Sequence, residues 1–169
     1  AVVVVWYLSH QAGRLDRLHH RIDVTRSSLD SHFAKRSAIC MEICSMDSLD
    51  PVSSALLLQA THEALNSGEM DTSTRQASES ELSEVLVDII DGPEFMADAV
   101  NDVMLMELLG QLESVWGRIV LAHQFHNAAV RDCLLIRHQL IVRVCRLAGR
   151  AALPSAIDLN VTLPQAFVN

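Results

Sequence analysis

His123 and His126 stand three residues apart inside the longest proline-free apolar stretch of the chain, and His62-Glu63 offers two further ligand-type side chains earlier on. On helices, such His pairs build metal sites inside bundles, provided that carboxylates face inward from neighbouring helices to complete the shell. A metal-dependent bundle enzyme or metal sensor using His62, His123 and His126 is therefore one reading. Against it, the positions that would face such a centre are Leu, Val, Ile, Ala and Cys, with His126 the polar exception. A core histidine bonded to a neighbour's carboxylate or carbonyl is the simpler expectation. Asn127, beside it, is the best candidate for a buried polar contact. It either fixes helix register or belongs to a network reaching Lys35–Arg36 or His32. His126 and Asn127 are thus expected to form a structural polar core.

Other chemistries lack their residues. There is no G-x-S-x-G for a nucleophile elbow, and no P-loop or G-x-G-x-x-G to cradle phosphate. Glu79, Glu81, Glu84, Asp88 and Asp91 read as a solvated helix face. His19 and His20 are adjacent and point about 100° apart on a helix, so they do not readily share a metal. No catalytic residue, no cofactor site and no resident metal are expected, and the chain reads as a non-enzyme.

The elements that must position these residues follow from periodicity. Leu105, Leu108, Leu112, Val115, Ile119, Ala122, His126, Ala129, Cys133, Ile136 and Leu140 alternate steps of three and four. That spacing makes one stripe along a helix that packs on a partner. The stretch Met104–Gly149 would run about 65–70 Å if unbroken. Leu15, Leu18, Ile22, Thr25, Leu29, Phe33 (or His32), Arg36, Cys40 and Ile43 keep the same rhythm and predict a partner helix over about 9–46. Asp50-Pro51 reads as an N-cap followed by a first-turn proline, opening a helix over 51–67 with Val52, Ala55, Leu56, Leu58 and Leu65 as its apolar side. A third helix is predicted over 72–91, polar in its first half and amphipathic in its second. Asn101-Asp102 can cap the long helix, predicted over 102–149. The tail 154–169 reads as irregular, with Ile157, Leu159 and Phe167 packing back. The fold class expected is all-α: an antiparallel four-helix bundle with two long and two shorter helices.

Charge is uneven. Residues 1–46 carry a net +2, residues 47–113 a net −14, and residues 114–169 a net +4. The acidic middle would repel phosphate and argues against a nucleic-acid groove; a nucleic-acid-binding helix at Arg131–Arg150 is the least favoured reading. The basic C-terminal part suits neutralisation of the acidic helices. Cys40, Cys44, Cys133 and Cys145 form no CxxC pair and fit a reducing compartment. Ala1–Leu8 is apolar, ends in Trp6-Tyr7-Leu8, and is followed by Arg14, Arg17, His19, His20 and Arg21. We read residues 1–8 as the C-terminal end of a transmembrane anchor, with aromatic residues at the interface and basic residues on the cytoplasmic side. A buried strand or a signal-peptide remnant are the alternatives. Residues 9–153 would form the helical domain and 154–169 the tail.

These residues also carry a family resemblance. Leu112, Ile119, Ala122, Asn127 and Val130 fall at the positions of an L-x-x-T-E-N-x-I-x-x-A-R-x-x-Y-N-x-x-V run. The segment from Asp30 to Ile39 is similar to a D-x-Q-L-K-R-R-x-D-L run, and Glu81-Leu82 through Pro93-Glu-Phe95 is similar to a helix followed by a Tyr-Pro joint. Both runs and the joint belong to the LemA family, bacterial proteins with one N-terminal transmembrane helix and a helical cytoplasmic bundle, and the chain resembles a divergent member. It departs at Val115-Trp116-Gly117, at His123 and at His126. The resemblance implies a single-pass cell-membrane protein with a cytoplasmic bundle and no established enzymatic activity. The function expected is a membrane-anchored scaffold or interaction protein that presents its acidic helices to a protein partner or self-assembles, without binding nucleic acid.

Overall fold

The computed structural model describes residues 2–46, 48–138 and 154–168. These fold as α1 (Val2–Cys44), α2 (Pro51–Asn66), α3 (Thr72–Ile90), α4 (Phe95–Ala99) and α5 (Val103–His138), with 3-10 turns at Ser67–Glu69 and Gln165–Phe167. The all-α expectation holds, and the described residues include no strand. Residues 139–149 of the expected long helix, with Leu140, Cys145 and most of Arg131–Arg150, lie outside the described residues.

The helix starts were written in the sequence. Asp50 accepts from the backbone N–H groups of Val52 and Ser53, ahead of Pro51 at the first position. Asp71 does the same for Ser73 and Thr74, and Asp102 for Met104 and Leu105. Each carboxylate satisfies donors that have no partner inside the first turn. The Ser53 hydroxyl on Asp50, the Ser73 and Thr74 hydroxyls on Asp71, and the Leu105 N–H on Asp102 contribute most, with the other cap bonds, to holding all three carboxyls below the ordinary aspartate range.

Val2–Leu8 is helical and runs into α1 without a break, which excludes the strand alternative. Among the described residues no helix is long and apolar enough to cross a membrane. In α1 the apolar run gives way to Arg14, Asp16 and Arg17.

The chain divides into two compact units. One comprises Ala1–Leu29 with Leu121–Ile157, the other Asp30–Val120 with Asp158–Asn169. In the first, Leu15 and Ile22 of α1 share a core with Ala129, Val130, Cys133 and Ile136 of α5. In the second, Phe33, Cys40 and Ile43, Leu57 and Ala60, Leu82 and Leu86, and Leu112 and Trp116 are all buried.

The expected apolar side of α2 is corrected. Its core face is Leu57, Ala60, Thr61 and Ala64, while Val52 and Leu56 stand 68% and 52% exposed. Both sets keep helical spacing, so periodicity alone does not choose between them. Small residues decide it: Ala60, Thr61 and Ala64 allow close approach of a packed neighbour, since interaxial distance follows side-chain size at the contact. The Thr61 hydroxyl is satisfied inside the helix by donating to Leu57 O at 2.7 Å.

Candidate functional site

Three features have the residue types for a function: a neutral polar centre in the first unit, a charged centre in the second, and an acidic groove beside α2. In the neutral centre, α5 places His123, His126 and Asn127 on adjacent faces. His126 is buried, and its Nδ1 lies 3.2 Å from the Thr25 hydroxyl of α1. That hydroxyl also lies within hydrogen-bond reach of the Ile22 and Arg21 carbonyls. Burial holds His126 below its ordinary pKa of 6.5, with Ser155 and Ile22 backbone hydrogen bonds opposing and nearby Arg26 reinforcing the shift. A neutral imidazole at neutral pH follows.

Asn127 belongs to the first unit, whereas Lys35, Arg36 and His32 belong to the second. Its amide instead clamps the tail: Nδ2 donates to Ile157 O, and Oδ1 accepts from Ile157 N, each at 2.9 Å. The two bonds together fix the orientation of the amide, because a carbonyl only accepts and an N–H only donates. His123 Nε2 lies 2.9 Å from the same carbonyl and 3.0 Å from Asn127 Nδ2. With its proton on Nε2, His123 donates to Ile157 O and fills the second lone pair of that carbonyl. A carboxylate or carbonyl partner was expected for the core histidine; buried His126 meets the Thr25 hydroxyl, and partly buried His123 meets a backbone carbonyl.

For a metal, the geometry is unhelpful. Among the described residues no three His, Cys, Asp or Glu side chains converge as ligands. His62 is exposed on α2 and belongs to the second unit, apart from the unit that holds His123 and His126.

The charged centre is built by α1 and α3. Arg36 is 1% exposed and donates to Glu79 Oε2 at 2.6 Å, Ser83 Oγ at 2.7 Å and Glu79 O at 2.9 Å. Its guanidinium carbon lies 5.7 Å from the Phe33 ring centre and 5.6 Å from that of Trp116. Phe167 of the tail meets Trp116 edge-on at 6.4 Å. Next to this, Arg75 pairs with Asp30 at 2.9 Å and covers the Phe33 ring. Burial raises the Glu79 carboxyl above its ordinary range, against the pull of Arg36. The Cys40 thiol is pushed up to about 12 by the same cause, which leaves it protonated and unreactive.

Glu79 is thus a correction: it was expected on a solvated face and is buried at 3% exposure. Two register positions pointed to this. Arg36 interrupts the apolar stripe of α1, and Glu79 extends the Leu82–Leu86–Ile90 stripe of α3 by one turn. An Arg and a Glu each on a core-facing position are natural partners, because neither is buried at low cost alone.

The third feature is a groove of about 390 Å³ where the start of α2 meets the end of α3. Its apolar lining includes Leu49, Leu56, Val85, Ile89, Pro93 and Phe95, and Asp50, Asp88 and Glu94 supply acidic groups. Against models of known protein families and against curated proteins, the chain shows no match.

Proposed function

We propose that this protein is a non-enzymatic helical scaffold whose acidic α2–α3 face docks a basic, amphipathic partner segment. One observation carries the reading: α2 is apolar on both sides. Leu57, Ala60 and Ala64 fill the core, and Val52, Leu56 and Leu65 remain outside. Exposed apolar groups beside a groove with an acidic rim match a partner with a leucine-type face and lysine or arginine edges. Both polar centres have their groups engaged in holding elements together, and neither offers an activated nucleophile.

A designed amphipathic Leu/Lys helix serves as the probe. Replacing Val52 and Leu56 by Ser should weaken its binding by about tenfold or more, as expected for losing buried aliphatic contact. Stability should hardly change, because both side chains face solvent. Equal affinity for the variant and the parent would sink the proposal.

The antiparallel bundle belongs to this proposal as well. In the first unit, Leu15 and Ile22 share a core with Ile136 and Ala129, while Thr25 meets His126. Arg14, Arg17 and Arg21 line a groove with Asp132, Leu135 and Ile136, and Thr25, further along α1, meets His126, earlier in α5; that order supports an antiparallel pair. Attachment of the Val2–Leu8 end to the cell membrane, with the helical domain on the cytoplasmic side, is its second element. It is supported by the unbroken helix through that segment, the exposed Trp6 stacked on His10, and the basic residues that follow. The LemA resemblance agrees with such a protein. Four of its carriers, Leu112, Ile119, Ala122 and Val130, are buried and are also what core packing alone would select. Fractionation of cells making the full-length protein tests the attachment: recovery wholly in the soluble fraction removes it.

A further inference from the structure

The first unit carries a groove of about 540 Å³ that neither polar centre uses. Arg14, Arg17 and Arg21 line it from α1, at i, i+3 and i+7, and so share one helix face. Leu18, Leu135 and Ile136 supply apolar wall, and Leu135 stands 69% exposed. Two arginines of the second unit are treated differently. Arg36 and Arg75 each hold a carboxylate within 3 Å, and these are the ion pairs among the described residues; none involves Arg14, Arg17 or Arg21. Asp132 also lines the groove, so three guanidinium charges face one carboxylate and an excess of positive charge remains.

From this arrangement we infer that the groove between Arg14–Arg21 and Asp132–Ile136 binds the phosphate headgroup of an anionic phospholipid. Guanidinium groups match phosphate oxygens through paired N–H donors, which makes arginine the side chain of choice for this anion. The three stand along roughly 10 Å of helix, at 1.5 Å per residue, so more than one can reach a single headgroup. The apolar wall favours a lipid over a free phosphate, because exposed Leu135 beside Leu18 suits the glycerol and upper acyl region. Asp132 opposes an anion and sets a sign-reversed control. The inference is separate from the acidic face of α2 and does not require the Val2–Leu8 end to be a membrane anchor.

The test is co-sedimentation of the purified chain with vesicles of phosphatidylcholine containing phosphatidic acid, with pure phosphatidylcholine vesicles and inorganic pyrophosphate as separate arms. The triple variant Arg14→Gln/Arg17→Gln/Arg21→Gln should bind the mixed vesicles about tenfold or more weakly, consistent with the loss of several near-surface arginines. Its helical circular dichroism should be retained. Asp132→Asn should bind more tightly. Arg131→Gln, an exposed arginine that does not line the groove, should change binding by less than about twofold. Pure phosphatidylcholine reports any insertion of the Val2–Leu8 end, which the triple variant should leave unchanged. The inference is overturned if the parent fails to bind mixed vesicles, or if the folded triple variant binds them as the parent does. It is equally overturned if Arg131→Gln matches the loss in the triple variant, which would make the effect diffuse charge. Pyrophosphate binding without vesicle binding overturns the lipid assignment.

Discussion

The two units solve the same problem with opposite chemistry. Each must seat polar side chains among helices, yet the first uses neutral groups and the second full charges. In the first, Thr25, His126 and Asn127 carry no net charge at neutral pH, and Asn127 spends its amide on one backbone residue of the tail. In the second, Arg36 and Glu79 are ions below the surface, faced by Phe33 and Trp116. Neutral hydrogen bonds contribute about 0.5–1.5 kcal/mol each and tolerate partial loss. A buried ion pair nearly cancels against its desolvation, but a lone buried ion does not. The charged centre is therefore the more sensitive to losing one member and the less sensitive to losing both.

That asymmetry yields the largest expected effect. Glu79→Gln leaves the Arg36 guanidinium without its counter-charge and should cost about 3–5 kcal/mol in denaturant unfolding. Arg36→Met should cost a comparable amount at neutral pH. The two differ in acid. Burial already raises the Glu79 carboxyl, and removing Arg36 takes away the main opposing pull. A carboxyl whose folded pKa exceeds its unfolded value binds its proton more tightly when folded. Arg36→Met should therefore recover stability, relative to the parent, as pH falls from 7 towards the unfolded value of 4.5, and Glu79→Gln should lack this recovery. Arg36→Met/Glu79→Leu should be near neutral or stabilised. A double variant as unstable as the worse single would show that the pair contributes more than mutual cancellation.

How far these centres could be read in advance differs between the units. The all-α fold, the caps at Asp50 and Asp102 and the stripe of α5 follow from rules internal to one helix: turn chemistry, periodicity and the missing donors of a first turn. His126 was recognisable because a polar residue interrupts an apolar stripe. The partners were not, because a partner is set by which helices face each other and at what height. Asn127 meets Ile157, thirty positions later in an irregular segment with no periodicity to place it. Glu79 sits among TSTRQASESE, whose polarity hides that one member shares the face of Leu82 and Leu86. The outer face of α2 was misread for a related reason, since two apolar faces compete and only the neighbour's shape selects one.

A middle-sized effect is expected in the neutral centre at Asn127. Asn127→Ala removes both bonds to Ile157 and should cost about 1–3 kcal/mol, the range for leaving partly buried backbone groups unpaired. The loss should also be local. Amide hydrogen exchange at Ile157 should rise strongly, while protection at Leu82 and Leu86 in the second unit stays at parental levels. Asn127→Asp keeps the acceptor for Ile157 N–H but loses the donor and places a carboxylate against the Ile157 carbonyl, so it should be no better than Ala. Unchanged exchange at Ile157 in Asn127→Ala would show that apolar packing, and not the amide, holds this part of the tail.

The smallest effect at neutral pH concerns His126, and there pH is the sharper probe. Its folded pKa is lowered chiefly by burial, so the unfolded chain binds the proton more readily. Stability associated with the neutral ring is complete above the unfolded value of 6.5 and is lost as pH falls through that value towards the lower folded one. His126→Leu removes the bond to Thr25 and the hydrogen bonds to the Ser155 and Ile22 backbone, but also the desolvation cost of the imidazole. The Thr25 hydroxyl keeps the Ile22 carbonyl within reach at 2.9 Å and is not stranded. At pH 8 the substitution should change stability by about 1 kcal/mol or less, because the loss of the ring's neutral hydrogen bonds is offset by apolar contact and the removed desolvation cost. Towards pH 5 the variant should become progressively more stable than the parent. Plotting the difference in melting temperature between the two proteins against pH isolates His126 from the other histidines, which both share. A flat difference between pH 8 and pH 5 would mean that His126 titrates alike in the folded and unfolded chains, and that the neutral centre is open enough to water to hold an imidazolium.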